Sequence, residues 1–367
     1  MDRERLHAVA LVVTIVAMAT GCNPNLPFIP PNELDSGRVE GGGIPVGPAP
    51  DRPAPGPDVH ADAAIEAPRV TGDAARPDAS TPDVASTPDV APTPDVAPTP
   101  DIPLPLLDGG ASVDPLVAVP TFDAATVARI RELRARGATL GVRPEVFAKI
   151  GDSITESNSF LYDIGQGWFV LGNYGALEPT IQRFRATRFA DGSNSFTRPS
   201  ACAMGGWVAA YALAMEPMSA LRSELAYTRP GYAVVMYGTN DLDRISAADF
   251  TRDMTRILDI IEGNGTVPIV STIPDRLDRP DAMARVPAFN GAIRALAAAR
   301  HLPLMDYWRA LQPLPRQGVD ADGIHPSAYV AAGDFATGVI TPAALQFGYN
   351  MRNLVALLAL ERLRALP

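Results

Sequence analysis

Three short polar clusters hold the residue types able to do covalent chemistry: Gly151-Asp152-Ser153-Ile154-Thr155, Gly238-Thr239-Asn240-Asp241 and Asp322-Gly323-Ile324-His325-Pro326. A serine hydroxyl is a weak nucleophile until a base takes its proton, and imidazole titrates in the right range for that task. Beyond residue 115 the chain has two histidines, His301 and His325. His325 follows Asp322 by three residues, close enough in a tight turn for the carboxylate to accept from ring Nδ1 and fix the tautomer. His301, in Arg300-His301-Leu302-Pro303, has no such partner and reads as a solvated residue at a helix-to-strand junction. Ser153 is expected at a helix start, where its own N–H and the helix dipole can stabilise a developing oxyanion. Asn240 offers a side-chain N–H to the same oxygen. Each cluster alone is a common turn sequence. Their joint presence, in this order, points to acyl transfer through Ser153, His325 and Asp322.

The surrounding pattern predicts how these clusters are held. Short apolar runs at Val146–Ile150, Tyr232–Tyr237, Val267–Ser271 and Leu302–Asp306 alternate with amphipathic stretches at Ala248–Glu262 and Val286–Arg300, and a last helix covers Asn350–Leu366. A helix capped by Asp123 and ended at Gly137 opens the domain. Alternation of strand and helix predicts a parallel sheet covered on both faces. In such sheets ligands bind beyond the carboxyl ends of the strands. Gly151-Asp152-Ser153 and Gly238-Thr239-Asn240 each follow a strand directly.

On these residues the sequence resembles the SGNH hydrolases, also called GDSL esterases. The resemblance implies a three-layer α/β/α flavodoxin-like SGNH fold with a central parallel sheet, ester or acyl substrates, no metal and no organic cofactor. Gly151-Asp152-Ser153 resembles the first family block and implies Ser153 as nucleophile and oxyanion donor. Gly238-Thr239-Asn240-Asp241 resembles the third and implies Asn240 as a donor. Asp322 and His325 resemble the fifth. The second block contributes a glycine N–H to the oxyanion and falls in Ala203-Met204-Gly205-Gly206-Trp207, where Gly206 is the first choice and Gly205 the second.

The ends of the chain differ sharply in composition. Residues 1–22 read as an export signal: an apolar run, Ala8–Ala19, leads into Ala19-Thr20-Gly21-Cys22, which resembles a bacterial lipobox. That resemblance implies acylation of Cys22 and anchoring to the cell envelope, with the outer membrane favoured by Asn23; simple secretion is the alternative. Residues 23–117 read as a disordered linker. Of the 37 prolines, 21 lie between Asn23 and Pro115, together with 15 acidic residues and four arginines. A six-residue repeat begins with Thr81-Pro82-Asp83-Val84-Ala85 and returns at Thr87, Thr93 and Thr99, each starting Thr-Pro-Asp. Such a stretch cannot bury enough apolar surface to offset the entropy of ordering and favours extended polyproline II.

Residues 118–367 are left as the hydrolase domain. From Leu116 onward there are 24 acids and 25 bases, so the net charge of −10 belongs to the linker. No basic stripe is present, which excludes nucleic acid as a partner. The expected partners are a small-molecule or glycan ester and, through Cys22, a membrane.

Other residues have plain readings. Trp168, Phe169, Tyr174 and Trp207 read as packing or as a substrate wall. Asp152 and Glu156 serve the turn and helix start, Asp306 a cap, and Cys202 a buried apolar position. The stretch 327–350 is a lid or a packed insertion. Two histidines are too few for a metallophosphoesterase. Acyl transfer to a sugar hydroxyl, or a non-catalytic glycan-binding envelope protein, are the alternatives to ester hydrolysis.

Overall fold

The computed structural model describes residues 115–367. The expectations for the export segment 1–22, for Cys22 and for the linker up to residue 114 lie outside the described residues. Among the described residues, no helix is long and apolar enough to cross a membrane.

The described chain opens with a 3₁₀ turn, Pro115–Ala118, that puts Ala118 and Val119 into the core. Ten α-helices follow among the described residues: α1 Ala124–Leu140, α2 Ser153–Glu156, α3 Tyr162–Gln166, α4 Glu178–Ala186, α5 Ala209–Ala212, α6 Ala220–Thr228, α7 Ala247–Gly263, α8 Pro280–Ala299, α9 Tyr307–Leu311 and α10 Gly348–Arg364. The strands are β1 Arg143–Gly151, β2 Pro230–Met236, β3 Val267–Ser271 and β4 Leu304–Met305, with a separate hairpin of β5 Val330–Ala331 and β6 Asp334–Phe335. The first four strands form one parallel sheet in the order β1-β2-β3-β4. With helices flanking it, the sheet makes an α/β fold around a central parallel sheet, as expected.

β2 and β3 are buried at every position, as expected of strands covered on both faces. The outer edge of β1 is closed by the segment 193–203. There Ser195 Oγ accepts from Phe147 N at 3.0 Å, Phe196 O accepts from Lys149 Nζ at 2.9 Å, and Ala203 bridges Gly151 in parallel. That cover satisfies backbone groups that an open edge would leave unpaired. Helix α10 is buried nearly all round, so its apolar residues run without the amphipathic stripe of a surface helix.

Among the boundaries that differ from the sequence pattern, two have a clear local cause. Asp123 caps α1 as read, its carboxylate accepting from Thr126 N at 2.7 Å, but the helix continues through Gly137 to Leu140 and stops at Gly141, whose φ is +72°. Gly137 is a packing glycine: a Cβ there would overlap the backbone of Gly265. Helix α8 begins at Pro280 and carries Pro287 inside it, so it starts earlier than Val286. Proline at a first helical position loses no needed N–H, which makes Pro280 a natural start.

Candidate active site

The site sits at the carboxyl ends of β1 and β2. Gly151 ends β1 where a Cβ would overlap Met236 O and Thr155 Oγ1, so only glycine lets the chain turn there. Asp152 is extended and caps α2, its Oδ1 accepting from Ile154 N at 3.1 Å. Ser153 is thereby the first residue of the short helix, half-buried, with its hydroxyl facing the loop that carries His325.

Ser153 Oγ lies 2.9 Å from His325 Nε2, and His325 Nδ1 lies 2.6 Å from Asp322 Oδ2. The remaining Asp322 oxygen accepts from Ile324 N at 2.8 Å and His325 N at 3.0 Å, which shapes the turn around the ring. Burial pushes the Asp322 carboxyl up, but the N–H groups of Ile324 and His325 and the imidazole outweigh it and hold it below the usual range. It is therefore an anion at neutral pH, suited to holding Nδ1 protonated and Nε2 free to accept. The site is open, with the His325 and Asp322 side chains 40% and 47% exposed.

The turn is pinned from outside. Gly323 has φ +75°, and a Cβ on it would overlap the backbone of Asp278. Its carbonyl accepts from Leu277 N at 2.7 Å and Asp278 N at 3.2 Å. Arg276, nearly fully buried, reaches the other cluster: Nη1 donates to Thr239 O at 2.6 Å and to Asp243 Oδ2 at 3.0 Å, while Nε donates to Asp278 Oδ1 at 2.8 Å. One side chain thus links the Asn240 turn to the histidine loop. Sequence reading missed Arg276, since nothing in its local pattern signals a long-range bond.

Asn240 donates one Nδ2 hydrogen to Trp207 O at 3.0 Å, which orients the amide and leaves the second hydrogen. Of the two glycines, Gly205 is the one beside Ser153: a Cβ on it would stand 3.9 Å from the serine Cβ. Gly206, with φ +73°, has no neighbour within 4 Å of that position. The first-choice glycine therefore takes the left-handed turn, and the second lies next to the nucleophile.

Glu156 does more than serve a helix start. Its exposed carboxylate accepts from Gly205 N at 2.6 Å, so an anion already occupies this N–H. Asp152 and Asp241 are buried near one another, and burial pushes their carboxyls up to about 6 and about 7. Asp241 Oδ1 accepts from Ala209 N at 2.9 Å; among the described residues the Oδ2 atoms of both aspartates lack a hydrogen-bond partner.

The other candidates fall elsewhere. His301 is exposed ahead of β4, at the opposite edge of the sheet from Ser153. Cys202 is fully buried against Tyr237, and its thiol is pushed up to about 12 by that burial. Phe169, Tyr174 and Trp207 pack against the core, and Trp168 meets Tyr162 edge to face. Asp306 makes no side-chain cap; it pairs with Arg294 and accepts from Thr272 Oγ1. In the stretch 327–350, segment 336–341 is packed, with Asp163 accepting from Thr337 N at 2.9 Å, whereas the β5–β6 hairpin is exposed.

Residues 150–331, which contain all three polar clusters, match the model of the GDSL-like Lipase/Acylhydrolase family. The chain carries a GDSL-like lipase/acylhydrolase domain. It is an SGNH-type ester hydrolase. Solved structures similar to this GDSL-like domain include a GDSL-like lipase from Bacteroides thetaiotaomicron (15% identity, 64% of this chain and 98% of that one, TM-score 0.38). A lipase/acylhydrolase from Enterococcus faecalis is 21% identical over 60% of this chain and 96% of its own, with TM-score 0.40. An acetylxylan esterase from Geobacillus stearothermophilus is 13% identical over 60% and 95%, with TM-score 0.39. A search of curated proteins found no match.

Proposed function

We propose that this GDSL-like hydrolase cleaves carboxylic esters through Ser153 as nucleophile, His325 as general base and then acid, and Asp322 as the group that orients the imidazole. The observation that carries the reading is the chain of contacts from Ser153 Oγ to His325 Nε2 at 2.9 Å and from His325 Nδ1 to Asp322 Oδ2 at 2.6 Å. As Oγ attacks the acyl carbon, Nε2 takes the hydroxyl proton. The carbonyl π pair moves onto oxygen. That oxyanion is met by the N–H of Ser153, by the second Nδ2 hydrogen of Asn240, and by the N–H of Gly205 once the Glu156 carboxylate has given it up. Collapse expels the alcohol, which takes the proton from His325. Water then attacks the acyl-serine with His325 again as base, releasing the acid and restoring Ser153.

The openness of the site supports a short acyl group on a bulky alcohol, because the partly exposed His325 and Asp322 leave room on the leaving-group side. Esters of extracellular or envelope glycans are the substrates that fit such a geometry and the export pattern at residues 8–22. Anchoring through Cys22 rests on that sequence pattern; acyl-chain labelling that persists in Cys22→Ala would overturn it.

The test is labelling with a fluorophosphonate followed by mass spectrometry, with an ester panel from acetyl to long acyl chains. Modification at Ser153 and hydrolysis of short esters are expected. No hydrolysis of any p-nitrophenyl ester and no label at Ser153 would replace the reading with a binding protein; activity abolished by a chelator but kept in Ser153→Ala would replace it with a metal-dependent one.

A further inference from the structure

The nucleophile turn is gripped from below by a charge that lies beyond the matched family segment. Arg352, on α10, is fully buried. Its Nη1 donates to Ile154 O at 2.6 Å and its Nη2 to Thr155 Oγ1 at 2.9 Å, across nearly 200 residues of sequence. Its guanidinium carbon stands 3.7 Å from the centroid of the Phe160 ring. Both contacts fall on α2, whose first residue is Ser153, and Thr155 Oγ1 is the atom against which Gly151 packs.

A buried cation is costly unless its surroundings compensate it. Here a carbonyl, a hydroxyl, the faces of Phe160 and Tyr307 and the field of the buried Asp152 share that task. A planar fork that bonds two groups while stacking on a ring is a geometry lysine cannot reproduce.

The neighbours of Arg352 on the same helix hold the other half of the site. Asn353 Oδ1 accepts from Leu161 N at 3.0 Å, while its Nδ2 donates to Ser159 O at 2.9 Å and to Thr337 O at 3.0 Å. Asn350 Nδ2 donates to Ala336 O and Val339 O, and its Oδ1 accepts from Tyr329 N at 3.0 Å. Gly348 N donates to Ser327 Oγ, two residues past His325. One buried helix therefore fastens the segment after Ser153 and the segment after His325 to a common frame.

We propose that Arg352 is a positioning residue for the ester hydrolysis, holding the Ser153 turn in register with His325 through Ile154 O and Thr155 Oγ1. The proposal rests on the reading of Ser153 as nucleophile. A displacement near 1 Å at a reacting atom lowers a rate by about 100-fold with little change in substrate binding. The groups that face Asp152 in the same space are Arg352, His325, Asp241, Tyr237 and Tyr349. Removing the one permanent cation among them makes the Asp152 carboxylate harder to form.

The experiment uses the full chain with Ser153→Ala, Arg352→Met, Arg352→Lys, Thr155→Val and Thr155→Ser, assayed on p-nitrophenyl acetate over pH and melted by circular dichroism. Expected are a fall in kcat of about 100-fold for both Arg352 variants with KM within threefold, and an acid limb of the kcat profile moved to higher pH in Arg352→Met. Thr155→Val should lose about tenfold in kcat, restored by Thr155→Ser. The effects of Arg352→Lys and Thr155→Val should be less than additive when combined. Full kcat in a folded Arg352 variant overturns the proposal. If neither Arg352 variant folds, Thr155→Val decides: parental kcat overturns it, and a loss that serine restores supports it. Ser153→Ala separates the two readings: activity surviving there removes nucleophile and clamp together, whereas an inactive Ser153→Ala beside fully active Arg352 variants removes the clamp alone.

Discussion

Nε2 of His325 stands 2.9 Å from Oγ of Ser153, although 172 residues separate them, and Asp322 completes the line from the far side of the ring. Groups that act as one unit lose their effect together. Ser153→Ala and His325→Ala should each lower kcat by roughly 10⁴-fold or more, and the double variant should be no worse than either. Asp322→Asn keeps an oxygen for the N–H groups of Ile324 and His325 but presents NH₂ to Nδ1. It should lose about 10⁴-fold in kcat with an unchanged melting temperature. Steady-state kinetics beside thermal melts check all four.

Asn240 has one amide hydrogen tied to Trp207 O, so its remaining donor is fixed before substrate arrives. Loss of such a preorganised donor costs about 100- to 1,000-fold in kcat. Asn240→Ala should show that loss with KM within threefold. A raised KM at unchanged kcat would mean that Asn240 holds the ester in the ground state instead.

The legibility of the site tracks how local each signal is. Ser153, Asp322 and His325, which the structure brings together, were offered as candidates by the sequence because each sits within a few residues of a strand end or of its partner, and the parallel sheet followed from alternation of apolar runs and helices. Arg276 and Arg352 were not readable: their bonds to Thr239 O and Ile154 O span tens to hundreds of residues and leave no period in the sequence. Glu156 was read only in part: it stands in the first turn of its helix, but its carboxylate also reaches across to Gly205. Where Gly205 and Gly206 lie relative to Ser153 was not legible, since it depends on which of two adjacent residues takes the left-handed conformation.

Gly323 carries its loop at φ +75° against the backbone of Asp278. Alanine there adds about 1–2 kcal/mol of backbone strain and a clash with backbone that cannot rotate away. Gly323→Ala should lower the urea midpoint and cut kcat more than surface changes remote from the site do, because the displaced turn carries both Asp322 and His325. Equal kcat in the parent and a measurably destabilised Gly323→Ala would uncouple the loop from catalysis.

Glu156 holds the Gly205 N–H with a charge-assisted bond that the developing oxyanion must replace. A bond to a charged group contributes roughly 1.5 kcal/mol, close to tenfold in an equilibrium constant. Glu156→Ala should raise kcat/KM by up to about tenfold and strengthen inhibition by acetate, which can then occupy the vacated donor. Weaker acetate inhibition in the variant would show that the glutamate supports the loop instead of competing for it.

Asp241 and Asp152 set a pH dependence of stability whose sign is opposite to that of a salt-bridged carboxylate. Burial raises Asp241 to about 7 and Asp152 to about 6 from 3.8. Between the unfolded and folded values the native state holds more protons than the unfolded chain, so these groups make unfolding easier as pH rises from about 4 to about 7. Each tenfold change in a carboxyl's acidity between the two states is equivalent to about 1.4 kcal/mol. Asp241→Asn keeps an oxygen to accept from Ala209 N and removes the charge. The variant should gain on the order of 2–4 kcal/mol over the parent at pH 8 and nothing at pH 4, read as the difference in urea midpoints at the two pH values. A gain of the same size at both would trace the stabilisation to packing and not to the cost of a buried anion.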